Sequence, residues 1–341
     1  MPARTANYSD IKKEANFGMI KRIISLIASV LLLFCAAACA ETAPAETVWT
    51  TKLTARCADV PEGQELIRGR NLYHGQINRL TLDFLLQKKG GTLEEYIEYS
   101  ALQVLPFTPE EEKRVRDTME WLSVFLESHG LKLPDPGTIT FVKTTGKEEL
   151  GATGYTCEGV IFLNQDAFSP SETPDYNFHL IVLHELSHCL SRLFPEYRQA
   201  MYSLIHFTVL DHDIEIPKEI FERIIANPDV ERHNSVATFT IGGEKKECYI
   251  ITLSDGVFEK EGDNFLLGMH PGIVPMGTTA VYTKEEAEDF WTVFGENTTY
   301  VIDPEEAAAN SFAFALMTLD EGYGRFRNPE ILEGVIAYLR R

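Results

Sequence analysis

His184 and His188 stand four residues apart in the segment His179-Leu180-Ile181-Val182-Leu183-His184-Glu185-Leu186-Ser187-His188. On a helix, that spacing puts both imidazoles on one face, one turn apart. Two imidazoles so placed suit two corners of a tetrahedral zinc site. Glu185 is rotated by about 100° from His184. Its carboxylate therefore flanks such a metal instead of ligating it, and from there it can take a proton from a zinc-bound water. Ile181, Val182, Leu183 and Leu186 make the segment apolar almost all round, which predicts a buried helix. A buried His-Glu-His set is costly without a partner such as a metal. His179 falls on another part of the helix surface and reads as structural.

Zinc with two histidines needs a third protein ligand and one open position. A third histidine six residues on is ruled out, because residue 191 is Ser and residue 194 is Phe. Asp211-His212-Asp213 offers ligand atoms but reads as a polar loop. The better candidate is Asp303-Pro304-Glu305-Glu306-Ala307-Ala308-Ala309-Asn310-Ser311-Phe312. Asp303 is a helix cap and Pro304 the first helical position. Glu306 and Asn310 share a face, and the three alanines let a neighbouring helix come close. We expect Glu306 to be the third ligand, with Glu305 the lesser alternative. Asn310 then reaches the free nitrogen of a ligand histidine and fixes its tautomer. The competing use of Glu306 is as capping-box partner of Asp303.

These helices must be held by a larger frame. The chain has 341 residues, 44% of them hydrophobic and 24% charged, an ordinary globular composition. A net charge of −20 repels phosphate backbones and argues against nucleic-acid partners. Lys21 and Arg22 precede an apolar run from Ile23 to Ala40, so 1–40 reads as an export signal, with Met19 the true start and 1–18 an extension ahead of it. Cleavage falls before Glu41, or before Cys39 in a lipobox-like Ala36-Ala37-Ala38-Cys39. We read the second, with Cys39 lipidated; export makes the protein periplasmic, a cell-envelope lipoprotein or extracellular. Export permits one or two disulfides among Cys57, Cys157, Cys189 and Cys248, although Cys189 reads as a buried free thiol.

Residues 41–60 look like a tether and 61–133 like a helical N-terminal region. Helical patterns run over 64–86 and 92–102, and a capping box starts a helix at Thr108 that continues to about Ser128. Strands are expected over 138–142, 159–163, 236–241 and 247–253, and further helices over 176–193, 196–209, 284–293, 304–317 and 329–340. This order predicts an α+β fold, with the catalytic domain over 134–341 and an insert near 195–283.

His184-Glu185-x-x-His188 followed by Glu306-x-x-x-Asn310 resembles the gluzincin group of zinc peptidases. The second motif is most similar to those of anthrax lethal factor and the Pro-Pro endopeptidases, although Asn310 stands where these carry an acid. The resemblance spans about 138–317. It implies a zincin-like domain and a zinc-dependent endopeptidase acting on a peptide or protein substrate. It also implies that Tyr300 stabilises the oxyanion, with His270 the alternative, and that strand 159–163 is the sheet edge that pairs with substrate. The reading from another class is an exported binding lipoprotein that keeps zinc for stability alone.

Overall fold

The computed structural model describes residues 47–170 and 173–340. The export signal and Cys39 lie outside them. Residues 48 onward form one compact unit.

The strands are β1 (Trp49–Thr50), β2 (Thr54–Cys57), β3 (Val104–Leu105), β4 (Leu133–Pro134), β5 (Thr138–Thr144), β6 (Gly154–Cys157), β7 (Val160–Asn164), β8 (Thr208–Val209), β9 (Ser235–Ile241), β10 (Glu244–Ser254) and β11 (Met269–Pro275). A mixed sheet runs β2-β5-β7-β6, with β3 also paired to β5. β2 and β7 are parallel to β5, while β6 is antiparallel to β7. Helices and strands both contribute, as an α+β chain requires.

The central strands are apolar on both faces, which suits a sheet covered on both sides. Ile139, Phe141, Ile161 and Leu163 pack into one core with Val115, Leu122, Leu183, Leu186 and Phe312. Val142, Tyr155 and Phe162 pack into a second core with Ile67, Tyr73, Phe84 and Tyr96. The helices Pro109–Ser128, Pro174–Leu193, Pro304–Met317 and Pro329–Leu339 therefore cover one face. Four shorter helices between Val60 and Ala101 cover the other. Truncating a buried side chain such as Leu183 to Ala would cost about 2–5 kcal/mol.

Two boundaries differ from expectation. Part of the tether is sheet, since Thr54–Cys57 pairs in register with Thr138–Phe141. Residues 61–133 are not a separate region either, because Val115 and Leu122 share a core with the site helices. The pattern over 64–86 breaks into three helices, Val60–Arg68, Asn71–His74 and Arg79–Leu85. The first and second of these end at Gly69 and Gly75. Only Phe290–Phe294 is helical within 284–293. The capping box at Thr108 forms, with Glu111 bonding back to the Thr108 backbone.

The expected insert builds a second, antiparallel sheet in the order β11-β10-β9-β8. Its β9–β10 hairpin turns on Gly242 and Gly243, both at positive φ, a conformation open to glycine at no steric cost. Cys57, Cys157, Cys189 and Cys248 are all free thiols, so no expected bridge forms among the described residues. Cys189 is buried, as expected for a core thiol.

Candidate metal centre

The histidine helix spans Pro174–Leu193 and the glutamate helix Pro304–Met317. Pro174 and Pro304 fix their starts. Ala307, Ala308 and Ala309 are buried, and with no bulk beyond a methyl they let the glutamate helix approach closely. That approach brings the two halves of the site together across the core.

His184 Nε2 lies 3.1 Å from His188 Nε2 and 3.1 Å from Glu306 Oε2. His188 Nε2 lies 3.6 Å from the same oxygen. Tetrahedral zinc with bonds of about 2.0–2.1 Å holds its ligand atoms about 3.3 Å apart. The three observed edges bracket that value. Glu306 is not spent on capping. The Asp303 side chain accepts from Glu305 N, whereas the Glu306 carboxylate faces the histidines and accepts from Asn227 Nδ2 at 2.6 Å. Burial opposes its ionisation, but the hydrogen bond with His184 and the nearby His188 ring outweigh this and hold it well below the usual carboxylate range.

The residue that holds the far nitrogen of His188 is Glu305, not Asn310. Glu305 Oε1 is 3.1 Å from His188 Nδ1. Its other oxygen accepts from Ser191 Oγ at 2.9 Å and Tyr202 Oη at 2.6 Å, with Arg198 Nε at 3.6 Å. Asn310 faces the cleft beside His184 and makes no hydrogen bond to either histidine among the described residues. The reason is rotational. Glu306 points at the two Nε2 atoms, and its neighbour Glu305 is turned by about 100°, toward the far side of His188.

Glu185 is 4% exposed, and its Oε2 has no hydrogen-bond partner. Burial first, and then the Asp229 carboxylate, push its carboxyl well above the usual range, with His188 opposing. Gly154 lies directly against it, and a Cβ there would sit 2.7 Å from Glu185 Oε1. The sheet edge is therefore β6, not the expected 159–163 strand, which is interior between β5 and β6. The signal available for this close approach is the glycine that opens β6.

A cleft of about 450 Å³ is lined by Gly154, His184, Glu185, Leu266, Tyr300 and Asn310, among others. Tyr300 is 40% exposed at its wall. Desolvation, and then the carboxylates of Glu306, Asp229 and Glu185, push its phenol well above the usual range, so it stays a donor. The remaining candidates lie elsewhere. Asp211 and His212 pair with each other in an exposed loop. His270 binds Gly268 O and is near Asp255. His179 stacks on Trp121 with ring centroids 3.9 Å apart, a structural role as expected. Asp229, which sequence reasoning missed, groups with Glu185 and His188.

Comparison with family models, curated proteins and solved structures finds nothing that matches this chain.

Proposed function

We propose that the protein is a zinc-dependent peptidase. The observation that carries this is the set of three donor atoms at tetrahedral-edge distances, with the Glu185 carboxylate, its Oε2 unpartnered, at the same cleft. His184, His188 and Glu306 would hold the metal, leaving one side of the site toward the cleft. Zinc bound there would polarise a peptide carbonyl and make water a stronger acid.

Glu185 accepts the proton of the attacking water at its carboxylate and returns it to the leaving amine. Tyr300 offers its hydroxyl to the oxygen that gains charge. The outward backbone of Gly154 offers an extended substrate a strand partner. Glu305 keeps His188 in the tautomer whose Nε2 lone pair faces the site.

Elemental analysis of the purified protein should find one zinc per chain. The Glu185→Gln variant should keep that zinc and lose hydrolysis by about 10²–10⁴-fold. Full activity of the variant, on any peptide the wild type cuts, would overturn the reading.

A further inference from the structure

The cleft is open along one direction and closed along the other. In the antiparallel ladder between β6 and β7, alternate residues turn their backbone groups outward. Thr153 pairs inward with Asn164, so Gly154 and Thr156 face out. At Thr156 the outward groups are already taken. Its N–H donates to Asp229 Oδ1 at 2.7 Å, and its carbonyl accepts from Arg192 Nη2 at 3.3 Å. A substrate strand can therefore pair at Gly154 but cannot continue past it toward Thr156.

Beside this barrier lies a cavity of about 60 Å³ that shares Gly154, Leu266, Met269 and Tyr300 with the cleft. Ala226, Phe265, Leu266, Met269 and Tyr300 give it apolar wall, and Asp229 also lines it. Asp229 is 8% exposed. Its Oδ1 is occupied by Thr156 N and Oγ1, each at 2.7 Å, while its Oδ2 takes no hydrogen bond among the described residues. Its carboxylate lies within 4.8 Å of Glu185 and His188 donor atoms, one residue's reach from the reacting centre.

We propose that this closed end receives the first residue of a peptide, its free ammonium on Asp229 and its small side chain in the cavity. The proposal rests on the peptidase reading and replaces internal cleavage with removal of the N-terminal residue.

The polarity follows from charge and strand direction. A substrate antiparallel to β6 places its N-terminus at the Thr156 end. The reverse direction would bring a C-terminal carboxylate against Asp229 and Glu306. Among the described residues no lysine or arginine lines the cavity, and the nearby Arg192 is tied to Thr156, Pro228, Asp229 and Glu231. The cavity, at about 60 Å³ against about 450 Å³ for the cleft, suits a small first side chain better than a large one. In the reaction, water oxygen bonds to the carbonyl carbon of residue one and the first peptide C–N bond breaks. The proton held by Glu185 passes to the new amine of residue two.

The test uses the zinc-loaded full chain and pentapeptides that differ only in the first residue (Gly, Ala, Ser, Val, Leu, Phe or Arg). Each is supplied with a free and an acetylated N-terminus, and products are read by mass spectrometry. Free peptides should lose residue one, with acetylation lowering kcat/KM by about 30-fold or more. Ala should exceed Leu and Phe by about tenfold or more. Asp229→Asn keeps an acceptor for Thr156 and should raise KM for free peptides more than it lowers kcat. Met269→Ala, which only widens the cavity, should narrow the gap between Leu and Ala. Equal cleavage of acetylated peptides, or no preference for size, would overturn the proposal and leave the peptidase reading standing. Failure to hydrolyse any of these peptides would overturn both.

Discussion

Glu305 Oε1 sits 3.1 Å from His188 Nδ1, and the next residue, Glu306, faces the Nε2 of the same ring. Two consecutive glutamates thus grip one histidine from opposite sides. The first fixes the tautomer that the second needs. Glu305→Gln, which keeps the shape and removes the charge, should weaken zinc binding by about 10–100-fold. Chelator competition reads this directly, and an unchanged affinity would remove Glu305 from the metal centre.

Gly154→Ala should leave zinc binding nearly intact and displace the Glu185 carboxylate. A shift of that kind should lower kcat on the order of 10²-fold. Zinc stoichiometry and kcat measured on the same preparation check it. Loss of zinc together with activity would mean that the strand, not Glu185, had moved.

Tyr300→Phe removes a hydroxyl at the cleft wall. If that hydroxyl meets the developing oxyanion, kcat should fall by about 10²–10³-fold with KM little changed. Equal kcat in the two proteins would return Tyr300 to a packing role.

His74 is buried with its Nε2 unpartnered, and its pKa is pushed down to about 4, first by desolvation and then by Arg70. The unfolded chain protonates this ring near 6.5 and the folded chain only near 4. Between those values the unfolded state binds more protons. The contribution is therefore fully present above pH 6.5 and is lost as pH falls toward 4. The slope is up to about 1.4 kcal/mol per pH unit. Urea unfolding of the chelated protein at several pH values should show a shallower acid loss for His74→Phe than for wild type.

The two site helices were legible because their signals are local. Spacing of four marks His184 and His188, and the Asp303-Pro304 pair marks the start that projects Glu306. Glu305 was weighed as a ligand and not as support. The partner that settles its role, Tyr202, lies 103 residues away in the chain. Helical spacing favoured Asn310, on the same face as Glu306, but the packing angle of the two helices decides which neighbour meets His188. Asp229 carries no local signal, since its role depends on the Arg192 and Thr156 contacts across elements. The edge strand was misplaced because β6 is only four residues long and begins with glycine.

Residues 54–57 have one more implication. They form an outer strand of the same sheet whose other edge carries Gly154. Phe84, farther along, stacks edge-on against Phe258 and Phe265 near the cleft. A chain woven in this way has no detachable prosegment between residues 54 and 133. Maturation by clipping within that stretch would strip the sheet of a strand and the cleft of its backing. On the peptidase reading, activation by clipping would have to spare that stretch.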